Sequence, residues 1–383
     1  MKWTYPFNQS DEVEEGMRNT KSKYQLLGRK GASLVEMTRE GLPVPSGFIV
    51  IADAGILSST NGMTMPEDLW DQMLEAIHEI EKASGKKFGD PTHPLLLSIR
   101  LSPSFSIPSR NRPLLNLGIN DEIVQGLVAL TGDERFAYDS YRRFIRLFSN
   151  MSFKFEIQEF DHLLEQYKTR AGVLSDTDIP IDDLKTLVFE FKNIFENHSG
   201  MSLPSDVFQQ LRQTIEALFS SWNNEHINDY RNSNRVAVII QNMVFGNLGN
   251  DSGTGFTATR NPRTGEKQLH GEYLLNAQYE DLLTATRMCS KIDRLEHDLP
   301  GLYHQLQEIA NCLERYYCDV QVVDFVVEQG KLWVLDSHPA QRSARANLRF
   351  SLDLLDEGII SEKQAVLLVQ PDHLQQLLAS NLL

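Results

Sequence analysis

The sequence contains little cysteine and no long apolar run. Only three of its 383 residues are cysteine, and Cys289, Cys312 and Cys318 have neither zinc-site spacing nor a disulfide framework. No stretch of about 18 consecutive apolar residues is present, so no transmembrane helix is expected. The N-terminal segment, Met1-Lys-Trp-Thr-Tyr-Pro-Phe-Asn8, lacks the apolar core of a signal peptide. These absences predict a cytoplasmic protein with reduced thiols and no membrane partner.

Basic residues are also scarce relative to acidic ones. The chain has 37 Lys and Arg against 52 Asp and Glu, a net charge of −15. A nucleic-acid-binding protein normally presents a basic face, so this balance argues against that class. A local basic pocket can still hold the phosphates of ATP inside an acidic protein.

Predicted strands and helices are mixed irregularly along the chain. Continuous apolar runs predict strands, and apolar residues at helical spacing predict helices. The predicted strands are 48–51, 95–100, 236–245, and a hairpin formed by 320–327 and 332–336. The predicted helices cover 32–40, 121–150, most of 155–230, 290–317 and 342–382. Because strict βαβ alternation is absent, the fold class is predicted to be α+β.

A segment rich in glycine and hydroxyl groups follows the strand 236–245. It reads Asp251-Ser-Gly-Thr-Gly-Phe-Thr-Ala-Thr-Arg-Asn-Pro-Arg-Thr-Gly-Glu266, and Gly271-Glu-Tyr-Leu-Leu-Asn-Ala-Gln278 comes soon after. Glycine permits backbone conformations that other residues rarely adopt. We interpret the segment as a surface for a polyphosphate, with Thr254, Glu272 and Gln278 as candidate nucleotide contacts.

Two cations in the N-terminal part are candidate phosphate contacts. Lys30 precedes a predicted helix N-terminus, where backbone N–H groups add positive potential. Arg100 ends an apolar strand, and its guanidinium suits phosphate oxygens. The alternatives are a solvated loop lysine and a structural ion pair.

Gln241 and Met243 lie at the end of the long apolar strand. Backbone groups at such a position can contact an adenine edge while apolar side chains enclose the ring. A plain core strand is the alternative.

Two carboxylates on the predicted hairpin are candidate Mg²⁺ ligands. Asp324 and Asp336 lie among apolar residues, where a carboxylate is costly unless it is paired or binds a cation. A three-residue loop would put both on one face, and a two-residue loop would put them on opposite faces. Exposure on an edge strand is the alternative. His338 follows as a candidate general base or phosphate contact, or a surface histidine.

Several ordered segments together resemble pyruvate phosphate dikinase, in its N-terminal nucleotide-binding domain. The similarity covers nearly the whole chain. Its segments are Leu27-Gly-Arg-Lys-Gly-Ala-Ser-Leu-Val-Glu-Met-Thr38, Gly41-Leu-Pro-Val-Pro-Ser-Gly-Phe48, Asn116-Leu-Gly-Ile-Asn-Asp121, Arg135-Phe-Ala-Tyr-Asp-Ser-Tyr-Arg-Arg-Phe144, Met243-Val-Phe-Gly-Asn247, Thr259-Arg-Asn-Pro-Arg-Thr-Gly-Glu266, Asn276-Ala-Gln278 and Gly330-Lys-Leu-Trp333.

The resemblance implies an ATP-grasp-type fold that binds Mg-ATP. In that family this domain passes a phosphoryl group to a histidine on a separate carrier domain. This sequence contains no Gly-Gly-x-Thr-Ser-His carrier segment, and we expect it to lack the family's barrel domain as well. Lys30 and Arg100 match the family's phosphate-contacting lysine and arginine.

The resemblance fails at several site positions. The family's Gly-Met-Met-Asp-Thr loop corresponds to Ser109-Arg-Asn-Arg-Pro113, where Arg110 and Arg112 are candidate replacement phosphate contacts. The family's Asp-x-Glu pair falls on Val322 and Asp324. Its glutamine and arginine fall on Asp336 and His338, which removes a bidentate phosphate clamp.

These features predict a stand-alone ATP-dependent phosphotransferase that uses Mg²⁺ and acts on a small-molecule acceptor, with nitrogen as the expected nucleophile. The alternatives are a catalytically degraded nucleotide-binding or interaction subunit, and one subunit of a split dikinase that acts with a histidine carrier protein. A homodimer is compatible with each of these functions. We expect an N-terminal α/β part (1–120), a helical insertion (121–230), a nucleotide-binding half (231–340) and C-terminal helices (341–383).

Overall fold

The structure is a computed structural model that describes residues 1–9, 11, 13, 22–60, 65–104, 113–224, 235–284, 287–369 and 371. The chain divides into two compact units. The first comprises Met1–Glu40 and Pro45–Met243, and the second comprises Gly41–Val44 and Val244–Leu383. Helices and antiparallel sheets are mixed, which confirms the α+β class. Within the described ranges, no helix has the length and apolarity to cross a membrane.

The first unit contains a five-stranded antiparallel sheet in the order β1-β2-β7-β5-β6. The strands of this unit are β1 (Thr4–Pro6), β2 (Gly47–Val50), β3 (Lys87–Phe88), β4 (Pro94–Leu95), β5 (Leu97–Pro103), β6 (Leu114–Leu117) and β7 (Val236–Asn242), with β3 and β4 forming a separate parallel pair. Strand β7 is central and largely buried, as its apolar sequence predicts, although it ends at Asn242 instead of residue 245.

The helices of the first unit form most of its mass. Those whose bounds lie within the described residues are α1 (Lys23–Arg39), α2 (Ala52–Thr60), α3 (Glu67–Ser84), α4 (Asp121–Thr131), α5 (Glu134–Phe153), α6 (Ile157–Ala171), α7 (Ile181–Ser199) and α8 (Val207–Asn224). The helix predicted over 121–150 is two helices. Gly132 ends α4 with a left-handed φ of 69°, and the Asp133 side chain accepts from the Phe136 N–H to begin α5.

The second unit contains a five-stranded antiparallel sheet in the order β10-β9-β8-β11-β12. The strands are β8 (Gly253–Ala258), β9 (His270–Leu275), β10 (Ser290–Lys291), β11 (Gln321–Glu328) and β12 (Lys331–Pro339). The short segment Gly41–Val44 belongs to this unit, and the Val334 N–H of edge strand β12 donates to the Pro43 carbonyl at 2.8 Å.

In the described part of the second unit the helices are α9 (Tyr279–Thr284), α10 (Leu295–Asp298), α11 (Pro300–Tyr317), α12 (Ala344–Asp356) and α13 (Glu362–Leu368). The single helix predicted over 290–317 is wrong, because the segment starts with β10 and Pro300 opens a separate helix. The helix predicted over 342–382 is interrupted near Gly358, which has a φ of 71°, and residues 372–383 lie outside the described residues.

Candidate functional site

Lys30 is held by a break in helix α1. Gly28 has φ 70° and ψ 173°, which is not helical. A Cβ at Gly28 would lie 1.9 Å from the Ser102 carbonyl oxygen, so only glycine fits. The Ser102 hydroxyl accepts from the Gly31 N–H at 2.9 Å and donates to the Leu27 carbonyl at 3.0 Å. Lys30 therefore stands in the first turn of the helix that restarts after Gly28.

Arg100 lies two residues before Ser102 on β5, so the two side chains share one face of the sheet. The Arg100 side chain is partly buried, and its Nε is buried without a hydrogen-bond partner in the described part of the chain. A buried donor of a charged group that lacks an acceptor is costly. A phosphate oxygen would satisfy it. The fold thus brings Arg100 and the Lys30 turn to one side of β5.

Arg110 and Arg112 lie outside the described residues. Their assignment as phosphate contacts stays a prediction.

The backbone around Gln241 and Met243 is largely engaged within the first unit. The Gln241 Nε2 donates to the Pro45 carbonyl at 3.0 Å, while its Oε1 is buried without a partner in the described ranges. The Met243 N–H donates to the Leu96 carbonyl at 2.9 Å. An adenine contact by Met243 must therefore use its carbonyl or its side chain.

The glycine-rich segment is strand β8, in the middle of the second sheet. A Cβ at Gly255 would lie 2.5 Å from the Phe325 ring, and one at Gly253 would lie 2.8 Å from the Leu274 carbonyl. Thr254 is fully buried, and its hydroxyl donates to the Phe325 carbonyl at 3.2 Å. Close packing inside the sheet explains these glycines without a phosphate.

The turn Thr259–Glu266 also has a structural explanation. Arg260 is 1% exposed and binds both carboxylate oxygens of Glu314 on α11 at 3.0 to 3.1 Å. Its remaining donors reach Asp353 at 3.1 Å and Glu357 at 3.2 Å. This arginine binds carboxylates of the protein and fastens the turn to α11 and α12.

Asp324 and Asp336 lie on one face of the hairpin, for a reason the sequence did not reveal. The loop has two residues, Gln329 and Gly330, with φ of 48° and 77°. Such a loop alone would put the carboxylates on opposite faces. The register shifts by one at Leu335, so Asp324 pairs directly with Asp336. A β-bulge therefore restores the shared face.

Both hairpin carboxylates are buried, Asp324 to 6% exposure and Asp336 to 3%. The Tyr279 hydroxyl donates to the Asp324 Oδ2 at 3.1 Å. Like charges directly opposite each other in a sheet destabilise it, and burial increases the cost. A cation at this pair would offset that cost.

The carboxylate pair fits Mg²⁺ only with help from a ligand. Within the described residues, no group of three or more His, Cys, Asp or Glu side chains could hold a metal ion. Mg²⁺ is commonly held by one or two carboxylates, and substrate phosphates and water complete its shell. Asp324 and Asp336 match that number.

Glu272 lies in the same cross-strand row as the two aspartates. The row runs from Lys291 through Glu272, Phe256 and Asp324 to Asp336. Residues paired directly across antiparallel strands share a face, so all five side chains point to one side. Exposed His338 is in the next row on that side, opposite Val322.

Gln278 lies in a separate polar cluster. It is 3% exposed, and its Nε2 donates to the Asn247 Oδ1 at 3.2 Å. The Asn247 Nδ2 is buried without a hydrogen-bond partner in the described part of the molecule. Sequence reasoning did not single out Asn247, Tyr279 or Phe256. Asn247 was within reach, since it ends one of the family-like segments.

Nearly the whole chain is similar in sequence to known proteins. No protein-family model matches. The chain is 41% identical over 384 residues to pyruvate, phosphate dikinase of Clostridium symbiosum, covering 98% of this chain and 43% of that protein. It is 41% identical over 370 residues to the chloroplastic pyruvate, phosphate dikinase 1 of Arabidopsis thaliana, covering 95% and 38%. The resemblance to pyruvate phosphate dikinase is confirmed.

A second plant relative has nearly the same identity and coverage. The chain is 40% identical over 370 residues to pyruvate, phosphate dikinase 2 of Zea mays, covering 95% of this chain and 41% of that protein. The chain thus spans about two fifths of the length of the curated relatives it matches. The similarity concerns the region that carries Lys30, Arg100 and the β11–β12 hairpin.

Proposed function

We propose that this chain is an ATP-dependent phosphotransferase with an ATP-grasp-type nucleotide-binding fold and a small-molecule acceptor. The observation that carries the proposal is the in-register pair of buried carboxylates, Asp324 and Asp336, in a chain similar to dikinases. Asp324 and Asp336 would hold Mg²⁺, which neutralises phosphate charge when bound. Lys30 and Arg100 are assigned to phosphate oxygens, and the unmatched Nε of Arg100 supports that role.

The proposed reaction leaves charge stabilisation and positioning to the protein, as is general for phosphoryl transfer. The bond from phosphorus to the leaving phosphate oxygen breaks, and that oxygen keeps the electron pair. A bond from phosphorus to an acceptor nitrogen forms, and the proton of that nitrogen passes to His338. Exposed His338 lies one row from the carboxylates, which supports its assignment as the base.

Calorimetric titration of the purified protein with ATP, with and without Mg²⁺, tests the nucleotide part. We expect micromolar binding that requires Mg²⁺ and is lost in Asp324→Asn. Arg100→Met should weaken binding by at least about tenfold without lowering the melting temperature, because it removes a buried donor that has no acceptor. Glu308→Gln, which replaces an exposed carboxylate on α11, is the matched control and should bind ATP like the unaltered protein. Absence of nucleotide binding would overturn the proposal in favour of an interaction subunit.

Product analysis tests the acceptor part. Chromatography of the nucleotide products distinguishes ADP from AMP with phosphate. Turnover with small nitrogen compounds is the expected result. Turnover that appears only with a histidine-bearing carrier protein would replace the small-molecule acceptor with a split dikinase.

A further inference from the structure

We propose that the acceptor is a small compound with a cationic nitrogen group that binds over Phe256 with its cation against Glu272. The inference rests on the proposed function and names the substrate class of that site. It is carried by the row of side chains that crosses the second sheet beside the carboxylate pair.

Phe256 lies between Asp324 and Glu272 in the row, paired with one on each side. Its 36% exposure makes it the one exposed residue of β8, a strand that is otherwise buried. A large aromatic side chain open to solvent in the middle of a sheet is a candidate contact for a ligand.

Acidic side chains flank Phe256 on both sides of the row. Glu272 is exposed and makes no hydrogen bond or ion pair in the described part of the chain, even though Lys291 is opposite it on β10. An aromatic face beside a carboxylate is a recognised arrangement for ammonium and guanidinium groups.

Apolar side chains lie next to Phe256. Val322 and Ala258 form the next row on the same side, directly opposite each other. Ala258 is buried, and half-buried Val322 packs against the core cluster that includes Val320 and Phe350. Apolar packing at this border of Phe256 suits the hydrocarbon part of a small amine.

Glu272 is two strands away from Asp324, about 10 Å at ordinary strand spacing. An acceptor that places its cation at Glu272 and its nucleophile beside the carboxylate pair therefore needs an arm of about seven to eight bonds. Agmatine has about this length and the required charge, and 1,4-diaminobutane is a shorter dication of the same class.

Calorimetric titration of the full chain saturated with Mg-ADP tests the inference. The probes are agmatine and 1,4-diaminobutane, with neutral butyramide and anionic glutarate as comparators. We expect at least one cation to bind and neither comparator to do so. Glu272→Gln should weaken cation binding by about tenfold, and Phe256→Leu, which keeps an apolar side chain, by about threefold or more.

Two further variants serve as controls. Glu308→Gln removes an exposed carboxylate on α11, outside the row, and should leave the cation affinity unchanged. Lys291→Gln removes the competing cation opposite Glu272 and should leave the cation affinity unchanged or raise it.

The outcomes separate the two proposals. If the protein binds Mg-ADP but neither cation, or if both row variants bind the cation like the unaltered protein, the acceptor class is wrong and the nucleotide function stands. Preferential binding of glutarate would also overturn it. If Mg-ADP itself does not bind, the proposed function fails and this inference fails with it.

Discussion

Asp324 lies directly opposite Asp336 across the β11–β12 hairpin because Leu335 is an extra residue in β12. Leu335 packs with Val244 and Val326 in a small buried cluster, which anchors the bulge in the unit. The pairing of Asp324 with Asp336 thus depends on the packing of Leu335. The bulge sets which side chains can share a cation.

Neutralising one member of this pair should remove the effect of Mg-ATP on stability. We expect Asp336→Asn to lose the stabilisation that Mg-ATP gives the unaltered protein, because it removes one of the two candidate Mg²⁺ ligands. Thermal melts with and without Mg-ATP measure the effect. Retained Mg-ATP stabilisation in Asp336→Asn would contradict the assignment.

Gly28→Ala should destabilise the first unit strongly. The added Cβ would meet the Ser102 carbonyl at 1.9 Å, and φ is 70°. Strain and lost contacts of this kind cost on the order of 3 kcal/mol. Gly132→Ala is the matched control, since Gly132 has a φ of 69° and open space around its Cβ position, so only about 1 kcal/mol is expected. Urea unfolding compares the two, and equal losses would refute the steric argument.

Arg260→Met should unfold more readily while leaving nucleotide affinity intact. The substitution leaves the buried carboxylate of Glu314 without its ion-pair partner, which typically lowers the free energy of unfolding by about 3 to 5 kcal/mol. The double variant Arg260→Met/Glu314→Leu should recover part of this stability, because neither charge then remains unpaired. Urea unfolding measures the stability, and calorimetry on folded protein measures ATP binding. A specific loss of ATP affinity would instead indicate that Arg260 contacts the nucleotide.

Acid should weaken the first unit through Asp139. Burial alone would raise the pKa of this carboxyl, but Arg143 and Arg142 beside it hold the pKa well below its ordinary value. The stabilisation is therefore fully present above the unfolded pKa of about 4 and is lost as the pH falls below it toward the folded pKa. Asp139→Asn should lower stability at neutral pH and flatten the acid loss.

Unfolding free energies of the unaltered protein and Asp139→Asn at about pH 3 to 6 check this pH dependence. Asp71→Asn, which removes an exposed carboxylate of α3, should keep the slope of the unaltered protein. Parallel pH curves for the unaltered protein and Asp139→Asn would show that the acid loss arises elsewhere.

Local sequence patterns predicted the elements whose signals are local. The apolar run of β7, the β11–β12 hairpin and the α+β class were recognised because periodicity and turn residues lie in short windows. Strands β8 and β9 were not recognised. Glycines at 253 and 255 weaken the strand signal and are explained only by Phe325, a residue far along the chain.

The candidate site was predictable in its residues but not in its arrangement. The sequence marked Asp324 and Asp336, yet a two-residue loop alone implied opposite faces, and only cross-strand register reveals the bulge. Phe256 carried no signal, because its exposure depends on what covers the sheet. The structural role of Arg260 was not predictable, since nothing nearby in sequence indicates that Glu314 is its partner.

The segment Gly41–Val44 has a consequence for any attempt to isolate the second unit. Its Pro43 carbonyl receives the Val334 N–H of the outermost strand, β12. An uncovered strand edge recruits other chains and promotes aggregation. A fragment that begins at Val244 would therefore expose the edge of β12 to other chains. In the intact chain, residues Gly41–Val44 cover part of this edge. Soluble versions of this unit need that tetrapeptide supplied, either by fusion or by circular permutation.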